Sequence, residues 1–281
     1  MRMCACRGTA GFAHVSCLAE QAKILMDEAE ENNLDGERRR ARWDRWHTCS
    51  LCEQRHHGVV LCALGWACWK TYMGRPEEDW AQLKGPAMTL LGNGLSDAKQ
   101  DKDALSVREA QLSMYRRLGA PDENILDVQG NLSNTYAMLG RDEEANRMVR
   151  DVYAGRLRLS GEEAKDTLIS ASNYAISLLT LERLEEARTL LRKSISVARR
   201  VLGGNDDLTL RMRFNYARAL YFDAGATLDD LREAVAMLAE MTPIARRVFG
   251  AVHPSTAAHE LALRQARAAL RARETPSDSK T

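Results

Sequence analysis

Cysteine and histidine crowd the start of this chain, and they are spaced as metal ligands are. Six of the seven cysteines fall within the first 62 residues. Cys4-x-Cys6 is followed by His14 and Cys17, and after a long gap by Cys49-x2-Cys52. Thiolates and imidazole at such spacings let one short loop direct two ligands at a single ion, which is what tetrahedral zinc requires. An odd number of cysteines, paired by spacing rather than dispersed, fits metal binding in a reducing, cytoplasmic compartment better than a disulfide framework. Cys62 and Cys68 stand outside this rhythm. They lie in an apolar stretch with Trp66 and Trp69, where thiols pack as small hydrophobes.

The stretch CACRGTAGFAHVSCL resembles the RING-CH (RINGv) zinc-finger domain. The shared features are C-x-C followed by a basic residue and glycine, an aromatic two positions before His14, and Leu18 after Cys17. The likeness runs from residue 4 to about 60. In a RING cross-brace, ligand pairs alternate between two ions. The resemblance therefore implies one zinc site made of Cys4, Cys6, Cys49 and Cys52, and a second to which His14 and Cys17 belong. The first pair of that second site would lie upstream of Met1, so the module is expected to be incomplete at its N-terminus. Either a C-x2-C pair has been lost upstream or the domain has degenerated to one zinc. RING-CH domains serve ubiquitin transfer: they hold a charged ubiquitin-conjugating enzyme (E2) and orient its thioester, contributing no nucleophile. The implied activity is that of a RING-type E3 ubiquitin ligase. Two features depart from the family: Gln21 replaces a common tryptophan, and Ala22–Arg42 reads as a charged helix rather than a compact loop. No Gly-rich phosphate loop, G-x-S-x-G or H-E-x-x-H is present, so no catalytic residue is assigned.

The elements that must position these residues divide the chain in two. Residues 1–75 hold all seven cysteines, four of the six histidines and four of the five tryptophans. Gly74, Pro76, Gly85 and Pro86 mark a join, and from 82 to 274 one helical pattern follows another without a cysteine. Residues 275–281 are polar and expected to be disordered. Within the second region Gly119, Gly161 and Gly203 are each 42 residues apart, with Gly250 47 further on. Arg116, Arg158, Arg200 and Arg247 stand three positions before these glycines, where positive charge complements a helix C-terminus. Asn131, Asn173 and Asn215 keep the same step, as do Ala145 and Ala187, with Ala234 displaced by an insertion near Asp223–Asp229. Such a period signals stacked helix pairs. Repeats are expected near 82–119, 120–161, 162–203 and 204–250, with a closing helix over 253–273 and Thr167 capping the first helix of the third unit.

Small residues at Ser133, Ala175 and Ala217 on first helices, and at Ala145, Ala187 and Ala234 on second helices, let paired helices approach closely. This arrangement resembles the tetratricopeptide repeat (TPR), and its 42-residue length and NYA segments look like the kinesin light chain variety. The expected fold is mainly α: an α-α superhelical TPR solenoid with a small N-terminal RING-like zinc module. The resemblance implies a groove lined by first helices, in which Asn131, Asn173 and Asn215 grip the backbone of a peptide or protein partner. An amide offers both a donor and an acceptor, which suits that task. The alternative is a non-enzymatic scaffold or adaptor with a structural zinc unit. A net charge of +1 with 28% charged residues excludes nucleic-acid binding by bulk charge, and the apolar run from Val59 to Trp69 is too short to span a membrane.

Overall fold

The computed structural model describes residues 14–76, 81 and 83–274, and these carry twelve α-helices. They are α1 (Val15–Glu31), α2 (Gly36–Trp43), α3 (Gly58–Tyr72), α4 (Lys84–Asp97), α5 (Asp101–Arg117), α6 (Asp122–Met138), α7 (Asp142–Ser160), α8 (Lys165–Thr180), α9 (Leu184–Val201), α10 (Asp207–Tyr221), α11 (Leu228–Phe249) and α12 (Pro254–Glu274). The polar tail at 275–281 lies outside the described residues. Among the described residues there is no strand, only an isolated antiparallel bridge between Thr48 and Arg55. None of the described helices is long and apolar enough to cross a membrane. The chain forms two compact units, Met1–Arg141 and Asp142–Thr281.

In the first unit, the charged segment read as one helix is two. α1 buries Ala22, Met26 and Ala29 on one face, then ends where Asn33 takes a positive φ of 49°. α2 follows with no buried residue, and Arg39 of its basic run faces Glu30 of α1 at 3.7 Å. Trp46 is fully buried just beyond it, edge-on to Tyr72 at 6.0 Å. Tyr72 ends α3, the apolar helix made from the Val59–Trp69 stretch.

α3 and α4 meet backbone to backbone. A Cβ added to Gly94 would lie 2.7 Å from Cys62 Cα, and one added to Gly65 would lie 2.9 Å from Leu91 Cα. Each helix thus offers a glycine to the other, and packing runs across the join that composition marks at residues 74–86. α4 then pairs with α5 as the first of the repeated hairpins. Ala104 is fully buried, and Gly92 leaves room for the side chain of Arg108. α6 packs on α5.

The second unit shows why the repeats recur in sequence. α8 pairs with α9 and α10 with α11, while α8 also lies beside α10. Ala175, Ala187, Ala217 and Ala234 are fully buried where paired helices meet. On α9 the buried residues Ala187, Leu191, Ser194 and Ala198 recur at three- and four-residue steps, one stripe of a helix. Gly119, Gly161, Gly203 and Gly250 all take positive φ, between 64° and 94°, just past helix ends. The left-handed turn that closes a helix is strained for other residues, and this explains their fixed period. Helix α8 starts two residues before Thr167. That threonine is no cap but sits buried inside the helix. The Asp223–Asp229 insertion forms the α10–α11 loop and the first two residues of α11, where a capping box starts the helix: Asp230 N–H donates to Thr227 Oγ1, and Thr227 N–H donates to Asp230 Oδ2.

Candidate functional site

Three places hold the residues singled out above. The first is the turn carrying Cys49 and Cys52. Cys49 N–H donates to Gln54 O at 2.9 Å, and Glu53 N–H donates back to Cys49 O at 3.0 Å. His56 N–H donates to His47 O at 2.9 Å, extending the ladder around the Thr48–Arg55 bridge. Glu53 turns the chain with a φ of 55°, and Leu51 N–H points at Cys49 Sγ at 3.5 Å. His14 stands at the start of α1, and Cys17 is exposed on its first turn. Cys4 and Cys6 lie outside the described residues. Among the described residues, no three His, Cys, Asp or Glu side chains converge to hold a metal. Cys49 and Cys52 stand on the same turn, with two residues between them. Cys62 and Cys68 are buried on α3, and burial pushes the Cys68 thiol far above its ordinary pKa.

The second place is a polar cavity of about 450 Å³ in the first unit, bounded by the α2–α3 segment, α4, α5 and α6. Asn131 lines it, half-buried, together with Asn93 and Asn124. Gln111 is 1% exposed; its Nε2 donates to Gly85 O at 2.9 Å and Thr89 Oγ1 at 2.8 Å. Those bonds fix the amide's orientation and leave Oε1 buried without a donor. His47 Nδ1 is likewise buried and unpartnered. Nearby, the buried Arg108 ties three helices together. It donates to Asn93 Oδ1 at 2.9 Å, to the Asn131 carbonyl at 3.1 Å and to the Thr135 hydroxyl. Burial pushes its pKa down to about 10.

The third place is the pair of first helices, α8 and α10, in the second unit. Asn173 is half-buried on α8, whereas Asn215 is 3% exposed on α10. Of the two amides, Asn173 presents the more accessible surface. Below them a network fixes the hairpin turn. Asn146 Nδ2 donates to Ser177 Oγ at 3.1 Å, and Arg183, held to Glu186 by two 2.7 Å bonds, donates to Asn146 Oδ1. Arg116, Arg158, Arg200 and Arg247 occupy last turns of α5, α7, α9 and α11.

Sequence reasoning missed Gln111, Arg108 and the place of His47 beside them. Gln111 and Arg108 are polar residues at inward positions of α5, a break in its amphipathic pattern that marks buried polar work. Their partners lie on other helices and leave no trace in spacing.

Two family models, both described as tetratricopeptide repeat, match residues 125–163 and 166–228. A search of curated proteins gives no match. Among solved structures, the chain is similar to Podosopora anserina putative kinesin light chain nearly identical TPR-like repeats, at a TM-score of 0.56 and 20% identity. A point variant of that protein gives 0.57 and 20%, and both matches cover 72% of this chain and 91% of the other. BtubC (BKLC) from P. vanneervenii matches at 0.49 and 12% identity, over 96% of this chain and 97% of its own. The chain thus carries tetratricopeptide repeats and shares its fold with kinesin light chain-like repeats.

Proposed function

We propose that this protein is an interaction scaffold whose repeats hold an extended peptide or protein segment. The observation that carries this reading is the side-by-side placement of α8 and α10, joined by α9, in the stretch that matches the repeat family, with α11 paired to α10 just beyond it. Stacked helix pairs of this kind offer an extended surface formed by their first helices. Asn173, half-buried on α8, supplies an amide able to bond a peptide backbone without regard to side chain. Asn131, half-buried on α6, takes the same role in its own repeat, whereas Asn215, 3% exposed on α10, is covered. The test is a peptide-display selection on the full chain, followed by affinity measurement. Asn173→Ala should weaken the selected peptides by about tenfold, the worth of one or two lost hydrogen bonds, while the melting temperature holds. A large fall in melting temperature would instead make Asn173 a packing residue.

A second reading adds zinc and ubiquitin transfer to the scaffold. It is supported by the Cys49–Cys52 turn, whose Leu51 N–H faces the Cys49 sulfur. Here Cys4, Cys6, Cys49 and Cys52 hold one Zn2+, His14 and Cys17 belong to a second, incomplete site, and the module engages an E2 while the repeats select the substrate. The zinc would be structural, fixing the fold of the loop that carries it. The expected reducing, cytoplasmic setting accords with this reading, since thiols there stay reduced. Zinc content by native mass spectrometry is expected at one ion per chain, lost in Cys49→Ser. Autoubiquitination across a panel of E2 enzymes should disappear in the same variant. Full-length protein without zinc and without activity would leave the scaffold reading alone.

A further inference from the structure

We infer that the first unit pairs with a second copy of itself, α1 of each copy lying against α2 of the other. The inference rests on the first unit alone and needs neither a bound peptide nor zinc. The charged stretch from Asp27 to Arg42 is two blocks of opposite sign. Asp27, Glu28, Glu30 and Glu31 close α1, and Arg38, Arg39, Arg40 and Arg42 fill α2. Blocks this close in sequence could be expected to pair within the chain. Among the described residues only Glu30 of the acidic block forms ion pairs, with Arg39 at 3.7 Å and with Arg75 at 2.9 Å. The chain turns between the blocks through Asn33 and Gly36, both at positive φ, and leaves the other charges without an opposite partner.

Two surfaces of the unit are complementary. On α1, Glu20, Ile24, Glu28 and Glu31 recur at three- and four-residue steps, opposite the buried face of Ala22, Met26 and Ala29. All four are exposed, Ile24 at 48%. On α2, Arg38 and Arg40 are exposed, and Arg40 borders a groove of about 410 Å³ whose walls include the half-buried Leu34, Trp43 and Pro86. An aliphatic side chain between carboxylates is the complement of an apolar groove beside guanidinium groups. Asp35, exposed at the groove, is the one carboxylate among its described lining residues and opposes the incoming acids mildly. A second copy is the occupant these features select, because its α1 brings the carboxylates and the apolar side chain on one stripe. Each copy offers both surfaces, so the same contact forms twice about a two-fold axis. Exposed ion pairs are worth little singly, which makes the pairing weak and sensitive to salt.

The experiment is sedimentation velocity on the full chain at several concentrations and salt levels. A dimer is expected with a Kd on the order of 100 µM at low salt. It should weaken by about fivefold or more between about 0.02 M and about 0.15 M salt, where the chain is a monomer at micromolar concentration. Two variants reverse one surface each at exposed positions: Glu28→Arg with Glu31→Arg on α1, and Arg38→Glu with Arg40→Glu on α2. Each should stay monomeric alone, with an unchanged melting temperature. Mixed in equal amounts they should form a one-to-one heterodimer, since α1 of either variant then meets α2 of opposite charge on the other. No pairing within a single chain can produce that rescue. Ile24→Ser should weaken the wild-type dimer by about fivefold and leave its salt dependence unchanged. A wild-type chain that stays monomeric up to about 1 mM at low salt would overturn the inference and leave the two blocks to other partners. Mixed variants that remain monomers, or assembly that runs past the dimer, would overturn it as well.

Discussion

Asp230 shows how one side chain can close a helix, a loop and a neighbouring hairpin at once. Its Oδ2 accepts from the Thr227 N–H and from the Thr227 hydroxyl, and its Oδ1 lies 2.5 Å from Arg188 Nη2 on α9. The Thr227 backbone N–H, then the hydroxyl and Arg188, hold the carboxyl below its ordinary value of 3.8, against a smaller upward push from burial. The folded state therefore keeps this group ionised where the unfolded chain would protonate it. Its contribution is complete above the unfolded value and is lost as pH falls through the lower, folded value. Asp230→Asn should cost about 1 kcal/mol near neutral pH, the usual worth of a helix cap. Urea denaturation of both proteins should show the gap narrowing once the pH drops below about 3.8, the ordinary value. A gap that stays constant into acid would mean that geometry, not charge, supplies the effect.

Between elements, the most demanding contact is that of α3 with α4. The Cβ of an alanine at Gly94 would stand 2.7 Å from Cys62 Cα and 2.8 Å from Leu61 O, and neither is a side chain that can swing away. Gly94→Ala should thus force the helices apart and cost about 2 kcal/mol, even though alanine is the better helix former. Gly130 on α6 provides the internal control, since a Cβ there meets nothing within 4 Å. Gly130→Ala should stabilise by up to about 1 kcal/mol through propensity alone. Opposite signs in urea midpoints check the pair; a shared sign would refute the close-approach account. The same contact explains what was legible in the sequence. The hairpins from α8 onward could be read because each needs a small residue at the crossing and a left-handed glycine at the end, so Ala175, Ala217, Gly161 and Gly203 recur. The α3–α4 pair uses Gly65 and Gly94 once each, with no period to betray them, and α3 reads as an apolar stretch beside cysteines. The cavity was equally hidden, because His47 and Gln111 lie on different elements and meet only through packing.

For the molecule as a whole, stability in stacked repeats is passed from neighbour to neighbour. In the second unit α12 joins the core that the helix pairs before it build. Ala262 and Ala266 enter the same core as Leu220, Leu231 and Leu238, and the His259 ring lies 4.6 Å from Phe214. Thr256 Oγ1 donates to Gly250 O at 2.7 Å, and the Tyr221 hydroxyl donates to Gln265 at 3.2 Å, pinning both halves of the helix. Arg264, Arg267 and Arg271 take exposed positions on the same helix. A chain ending before Pro254 would uncover Leu238 and Tyr221, and would leave the α10–α11 hairpin with one apolar side in water. Such a chain should lose thermal stability and self-associate, seen as a mass above the monomer in light scattering. Replacing Ala262 with Asp should reproduce the loss of stability at a single buried site, since a carboxylate there would be desolvated. A truncated chain that stays monomeric with an unchanged melting temperature would show that the α10–α11 hairpin holds without α12, and that the contacts of Ala262 and Ala266 add little to the core.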